Sequence, residues 1–138
     1  MSALATPIHT AQIGAATLRF FRPPATTPDL PWHSHDDLAR CLGLAPLARL
    51  QFLQMLKSGP FKDDLRVVGA YGGIVTIAPH AAAQGLITAA IEVGMASPDL
   101  EDEYVVAAIA AFKIVTKDLP PAAAMEMLFA AAGRGGTQ

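Results

Sequence analysis

The sequence predicts an α+β domain, a small antiparallel sheet with helices packed on one side, in the order β-α-α-β-β-α-α-α. Three observations predict it. Two β-branched runs, LRVVGA and GGIVTIA, flank Tyr71–Gly72–Gly73, the pattern of a hairpin. A short aromatic run, TLRFF at 17–21, places Leu18 and Phe20 on one side of an extended strand. Elsewhere apolar residues recur at helical spacing and are punctuated by Pro, Gly and Ser.

The elements follow in chain order. Residues 1–16 mix Thr, Ala, Gly and Pro without a period and read as a loose tail ahead of the first strand. RPPATTPDLP holds four prolines in ten residues and reads as a turn-rich connection. In PWHSHDDLARCLGL, Ser34 occupies an N-cap position and Asp37 the acidic position three residues on, a carboxylate version of the capping box. Leu38, Cys41 and Leu42 then follow at i, i+3, i+4, and Gly43 ends a short helix over about 35–42. Pro46 opens a second helix whose apolar face is expected to be Leu47, Leu50, Phe52, Leu53 and Leu56.

The hairpin is placed at about 65–69 and 73–78. Pro79 opens a helix through about Val93, with Ala83, Leu86, Ile87, Ala90 and Ile91 as its stripe. Ser97–Pro98 starts another, with Asp99, Glu101, Asp102 and Glu103 well placed against the helix dipole. Val105, Ala108, Ile109, Phe112 and Val115 are its expected buried face. A last helix, about 121–132, precedes a flexible end at about 133–138. No repeat or internal boundary interrupts the 138 residues, which read as one domain.

Composition narrows the function. No run approaches the roughly 18 apolar residues of a membrane span, and the N-terminus lacks the charged and apolar regions of a signal peptide. A lone Cys41 forms no internal disulfide, so the reading is a soluble, cytoplasmic protein. The net charge of −2 exerts no global pull on nucleic acid. Residues 1–66 nevertheless carry seven Arg/Lys against five Asp, while residues 67–138 carry three against seven acidic residues.

Chemistry-bearing residues are few. His33, His35, Asp36, Asp37 and His80 are candidate zinc ligands, but two histidines straddling a helix cap diverge, and the simpler reading is a cap with His35 and Asp36 in an exposed first turn. Cys41 lies on an apolar helix face, which suits a small core residue better than a nucleophile. No catalytic residue, metal or cofactor is assigned, and the expectation is a non-enzymatic protein. What remains is an exposed polar set, most of it on the two short helices: Arg40, Arg49, Lys57, Lys62 and Arg66, with Gln51 and Gln54 interleaved. Two helices joined by a tight turn are one way to present side chains to DNA.

In its order of features the chain resembles the BRO-N domain of phage antirepressors and baculovirus repeated ORF proteins. The resemblance covers about residues 17–115. It is carried by Trp32, Asp37, Leu38, Ala39, Leu42 and Gly43, then by Gly72–Gly73 and Ile74–Ile77, by Gly85–Leu86–Ile87, and by Ser97, Pro98 and Tyr104. It implies a DNA-binding transcriptional regulator in which Arg40, Arg49, Lys57 and Lys62 meet phosphates of double-stranded DNA and Gln51 and Gln54 approach base edges. The alternative is a protein-interaction module that titrates another regulator. The alanine-rich C-terminal helices suggest a homodimer.

Overall fold

The computed structural model describes residues 4–24 and 29–136. Five strands, β1 (His9–Ile13), β2 (Ala16–Phe21), β3 (Trp32–Ser34), β4 (Arg66–Ala70) and β5 (Gly73–Ala78), form one sheet in the order β1-β2-β3-β5-β4. Every neighbouring pair is antiparallel. Five helices accompany them: α1 (His35–Cys41), α2 (Pro46–Ser58), α3 (His80–Glu92), α4 (Asp99–Thr116) and α5 (Pro121–Gly136). The α+β class and the antiparallel sheet are as the sequence predicts.

Two strands were not expected. Residues 9–13, read as part of a loose tail, are β1, joined to β2 by the two-residue turn Gly14–Ala15 between the paired Ile13 and Ala16. Gly14 sits at φ +58°, and a Cβ there would lie 2.7 Å from the Cys41 carbonyl oxygen, so the turn requires glycine on both counts. The second, β3, has only three residues and no room for a period. At the other end α5 continues through Gly136, beyond the predicted stop near 132.

The short β3 shapes the centre of the sheet. Phe20 pairs with His33 and His33 with Ala78, and Ser34 pairs with Ile77 before the chain turns into α1. Beyond that point α1 packs between β2 and β5. Ser34 caps it, its Oγ accepting from the Asp37 amide at 3.1 Å. The next two backbone donors along the flanking strands are taken by side chains: the Thr76 amide donates to Asp36 Oδ2 at 2.7 Å and the Arg19 amide to Asp37 Oδ2 at 3.1 Å. Two carboxylates at the start of a helix thus replace the acceptors that a longer β3 would have offered.

On one face Leu18 and Phe20 form the main core with Leu38 and Cys41 of α1, Leu86 and Ile87 of α3, and Tyr104, Ala107 and Ala111 of α4. The buried face of α4 is rotated from the expected one. Val105 is 38% and Ile109 50% exposed, while Tyr104 is fully buried. The small side chains of Ala107 and Ala111 let α4 approach the sheet closely, and the Tyr104 ring is buried against Phe20, His33 and His80.

On the other face Phe21, Trp32, Ala70, Val75 and Ile77 make a smaller cluster, with Ala5 and Val68 against it. The Ala5 amide donates to the Gly69 carbonyl at 2.8 Å, and three residues later the Ile8 amide donates to the Phe20 carbonyl at 2.8 Å. One stretch, residues 5–13, therefore starts on β4 and continues along β2, so the sheet curls towards closure around the cluster.

Candidate functional site

The predicted polar set divides into parts. Arg40 stands at the end of α1, its Nη2 3.0 Å from Asp37 Oδ1. Arg49, near the start of α2, donates from Nη1 to the Leu44 carbonyl at 3.0 Å. These two guanidinium groups share a shallow groove with Leu50 and Leu53. Gln51 and Gln54 lie on the opposite flank of α2, in a second groove with Met55, Val93 and Met95. Lys57 is exposed in the last turn of α2, and Lys62 is exposed in the following turn beside Asp63 and Asp64. The structure brings Arg40 to Arg49 and Gln51 to Gln54, but does not join the two pairs.

Between them stands apolar surface. Leu47 and Leu50, expected to be buried, are 67% and 52% exposed, and Met55 is 59% exposed. Among the residues of α2 Ala48 is the buried one, and Phe52 packs partly against the core. By helical spacing Leu47 and Leu50 fall between Arg49 and Gln51. The face of α2 that turns inward carries Ala48, in the core cluster, and Phe52, packed partly against it. No carboxylate lies on α2.

PWHSHDDLARCLGL is a structural centre. The Asp37 carboxylate is buried and accepts from Arg19 Nε at 2.7 Å, Arg19 Nη2 at 2.9 Å and Arg40 Nη2 at 3.0 Å. The Arg19 guanidinium is held above its usual pKa by its hydrogen bond to Asp37, and its Nη1 reaches the Tyr71 carbonyl at 3.1 Å. His35, expected on an exposed first turn, is buried. Burial and a nearby aspartate push the Cys41 thiol up to about 11, the opposite of what a nucleophile requires.

His33 and His80 gather around Tyr104. His80 stacks on its ring, centroids 5.5 Å apart, with Nδ1 2.9 Å from the hydroxyl. His33 meets the same ring edge-on at 6.3 Å. Neither His33 ring nitrogen nor His35 Nε2 has a hydrogen-bond partner among the described residues. Burial, then the neighbouring His35 and His80, push His33 down to about 3, and burial lowers His35 and His80 as well. Among the described residues no group of three His, Cys, Asp or Glu side chains is placed to hold a metal ion. No described helix is long and apolar enough to cross a membrane. No protein-family model, curated protein or solved structure matches the chain.

Proposed function

We propose that the chain is a non-enzymatic regulatory domain that acts by binding another protein through α2, titrating a regulator. The observation that carries this reading is the solvent-facing surface of α2. Leu47, Leu50 and Met55 are more than half exposed and contiguous with Gln51 and Gln54, on a helix without a carboxylate. Exposed apolar residues grouped on one helix face, with cations at the side, suit an amphipathic partner helix bearing acidic flanks. The titratable groups beside it are engaged structurally: Asp36 and Asp37 hold strand amides, and the Cys41 thiol is buried. The resemblance to BRO-N domains supports a regulatory role.

A second reading is that the same region binds double-stranded DNA as a transcriptional regulator. It is favoured by Arg40, Arg49, Lys57 and Lys62 lying within one contiguous segment of the chain, with Gln51 and Gln54 exposed between them in sequence. The experiment that separates the readings measures duplex binding at low salt and its dependence on added salt. A protein-binding domain gives no retardation. A DNA-binding domain gives a slope that falls by roughly one unit for each phosphate contact removed in Arg40→Ala, Arg49→Ala, Lys57→Ala or Lys62→Ala. A partner recovered by the parent chain and lost with Leu47→Ser/Leu50→Ser supports the first reading. A cytoplasmic setting and a homodimer through α4 and α5, where Val106 and Phe129 are 69% and 67% exposed, belong to the same proposal. Light scattering at high concentration tests the dimer.

A further inference from the structure

Away from α2, the apolar residues of α4 that the core does not take up line a pocket. Its volume is about 170 Å³, close to that of an engineered apolar cavity able to hold a benzene ring. Pro31 stands on one side, Ile109 and Phe112 on another, and Leu128 of α5 on a third. Among the described residues, the polar ones that reach it are His80 and Gln84, both on α3 and one turn apart.

The state of His80 follows from its partner. Tyr104 is fully buried, and burial keeps its hydroxyl protonated. A buried hydroxyl needs an acceptor, and His80 Nδ1 lies 2.9 Å away. With Tyr104 donating to Nδ1, a neutral imidazole carries its own proton on Nε2. His80 thus offers a donor on the side of the ring away from Tyr104. Among the described residues no cation lines the pocket, and the buried Asp29 carboxylate is close enough to act electrostatically on His80. An anionic guest would meet that charge against an apolar wall.

We propose that this pocket between α3, α4 and α5 is a binding site for a small uncharged single-ring compound bearing one acceptor oxygen, the ring lying among Ile109, Phe112 and Leu128 and the oxygen accepting from His80 Nε2. This site is independent of the reading of α2.

Acetophenone, benzene and benzoate, each titrated into the full chain and followed by NMR, test it. Acetophenone should give saturable shifts at the methyl groups of Ile109 and Leu128, with ring-to-methyl cross-relaxation at the same groups. Benzene, which lacks the acceptor, should bind about tenfold more weakly, the worth of one hydrogen bond. Benzoate should bind more weakly than acetophenone. Ala108→Phe fills the pocket from its wall and should abolish the shifts. If that variant does not fold, the cross-relaxation in the parent chain still locates the ring. Absence of saturable shifts, binding of benzoate equal to that of acetophenone, or cross-relaxation confined to residues outside the pocket would overturn the proposal.

Discussion

Asp37 Oδ2 lies 2.7 Å from the Nε of Arg19 and 3.1 Å from the same residue's backbone nitrogen. One carboxylate therefore fixes both the side chain and the main chain of a residue on β2. The Asp37 side chain is 3% exposed and that of Arg19 19%, so little water competes for the pair, whereas Arg40, the second cation, is 51% exposed. Removing one partner of a buried pair leaves the other uncompensated. Asp37→Ala should cost about 3–5 kcal/mol in urea denaturation, while Arg40→Ala should cost at most about 1 kcal/mol. Equal losses for the two would show that the Arg19–Asp37 pair is not the dominant one.

Asp36 acts on the other strand. Its Oδ2 accepts from the Thr76 amide at 2.7 Å. Asp36→Asn keeps an acceptor oxygen and Asp36→Ala does not. Hydrogen exchange should show the Thr76 amide protected in the parent chain and in Asp36→Asn, and exchanging faster in Asp36→Ala. The alanine variant should lose about 1–3 kcal/mol, the cost of a buried donor left without a partner.

Acid should unfold the protein through its histidines. An unfolded imidazole takes up a proton near 6.5, but folded His33 does so only near 3. Between these values the unfolded state binds more protons, so stability is intact above about pH 6.5 and declines as pH falls towards 3. The slope for His33 alone is up to about 1.4 kcal/mol per pH unit. His35 and His80 are shifted in the same direction and steepen it. His33→Leu, which removes the buried imidazole from the core, should flatten the dependence. Denaturation midpoints at pH 7, 6, 5 and 4 measure it, and midpoints unchanged over that range would contradict the assignment.

Cys41 should be inert. Its side chain is buried on α1 and its thiol titrates near 11. A disulfide reagent at pH 8 should modify the native protein far more slowly than the urea-unfolded chain. Equal rates would place the thiol at the surface.

Much of the helical content was legible because caps and breakers mark it. Ser34 and Gly43 bound α1, Pro46 opens α2, and Pro79 precedes α3. The β4–β5 hairpin was legible from its β-branched runs. β1 was not, because HTAQI contains a single large aliphatic residue, although Ile13–Gly14–Ala15 carries a turn signal that pairs it with TLRFF. The faces of α2 and α4 were misjudged for one reason. Periodicity counts apolar side chains, but close packing favours small ones, so Ala48, Ala107 and Ala111 lie inside while Leu47, Leu50 and Ile109 face water. Hence the polar residues of α2 were foreseen, and the leucines that share its surface were not. The pocket at His80 and Gln84 was beyond reach of the sequence, since Pro31 and Leu128 meet there only after folding.

The bond from Ala5 to Gly69 bears on how molecules of this protein meet one another. β4 is an outer strand, and Val67 and Ile74 make its hairpin apolar on one surface, at 65% and 77% exposure. An open strand of that kind is a template on which a second chain can add itself and begin a growing fibre. Ala5 occupies one of its positions, and the curl of the sheet turns the rest back towards its own start. Loss of the stretch through Ile8 would uncover that position and make the same domain more prone to intermolecular strand addition than the 138-residue chain.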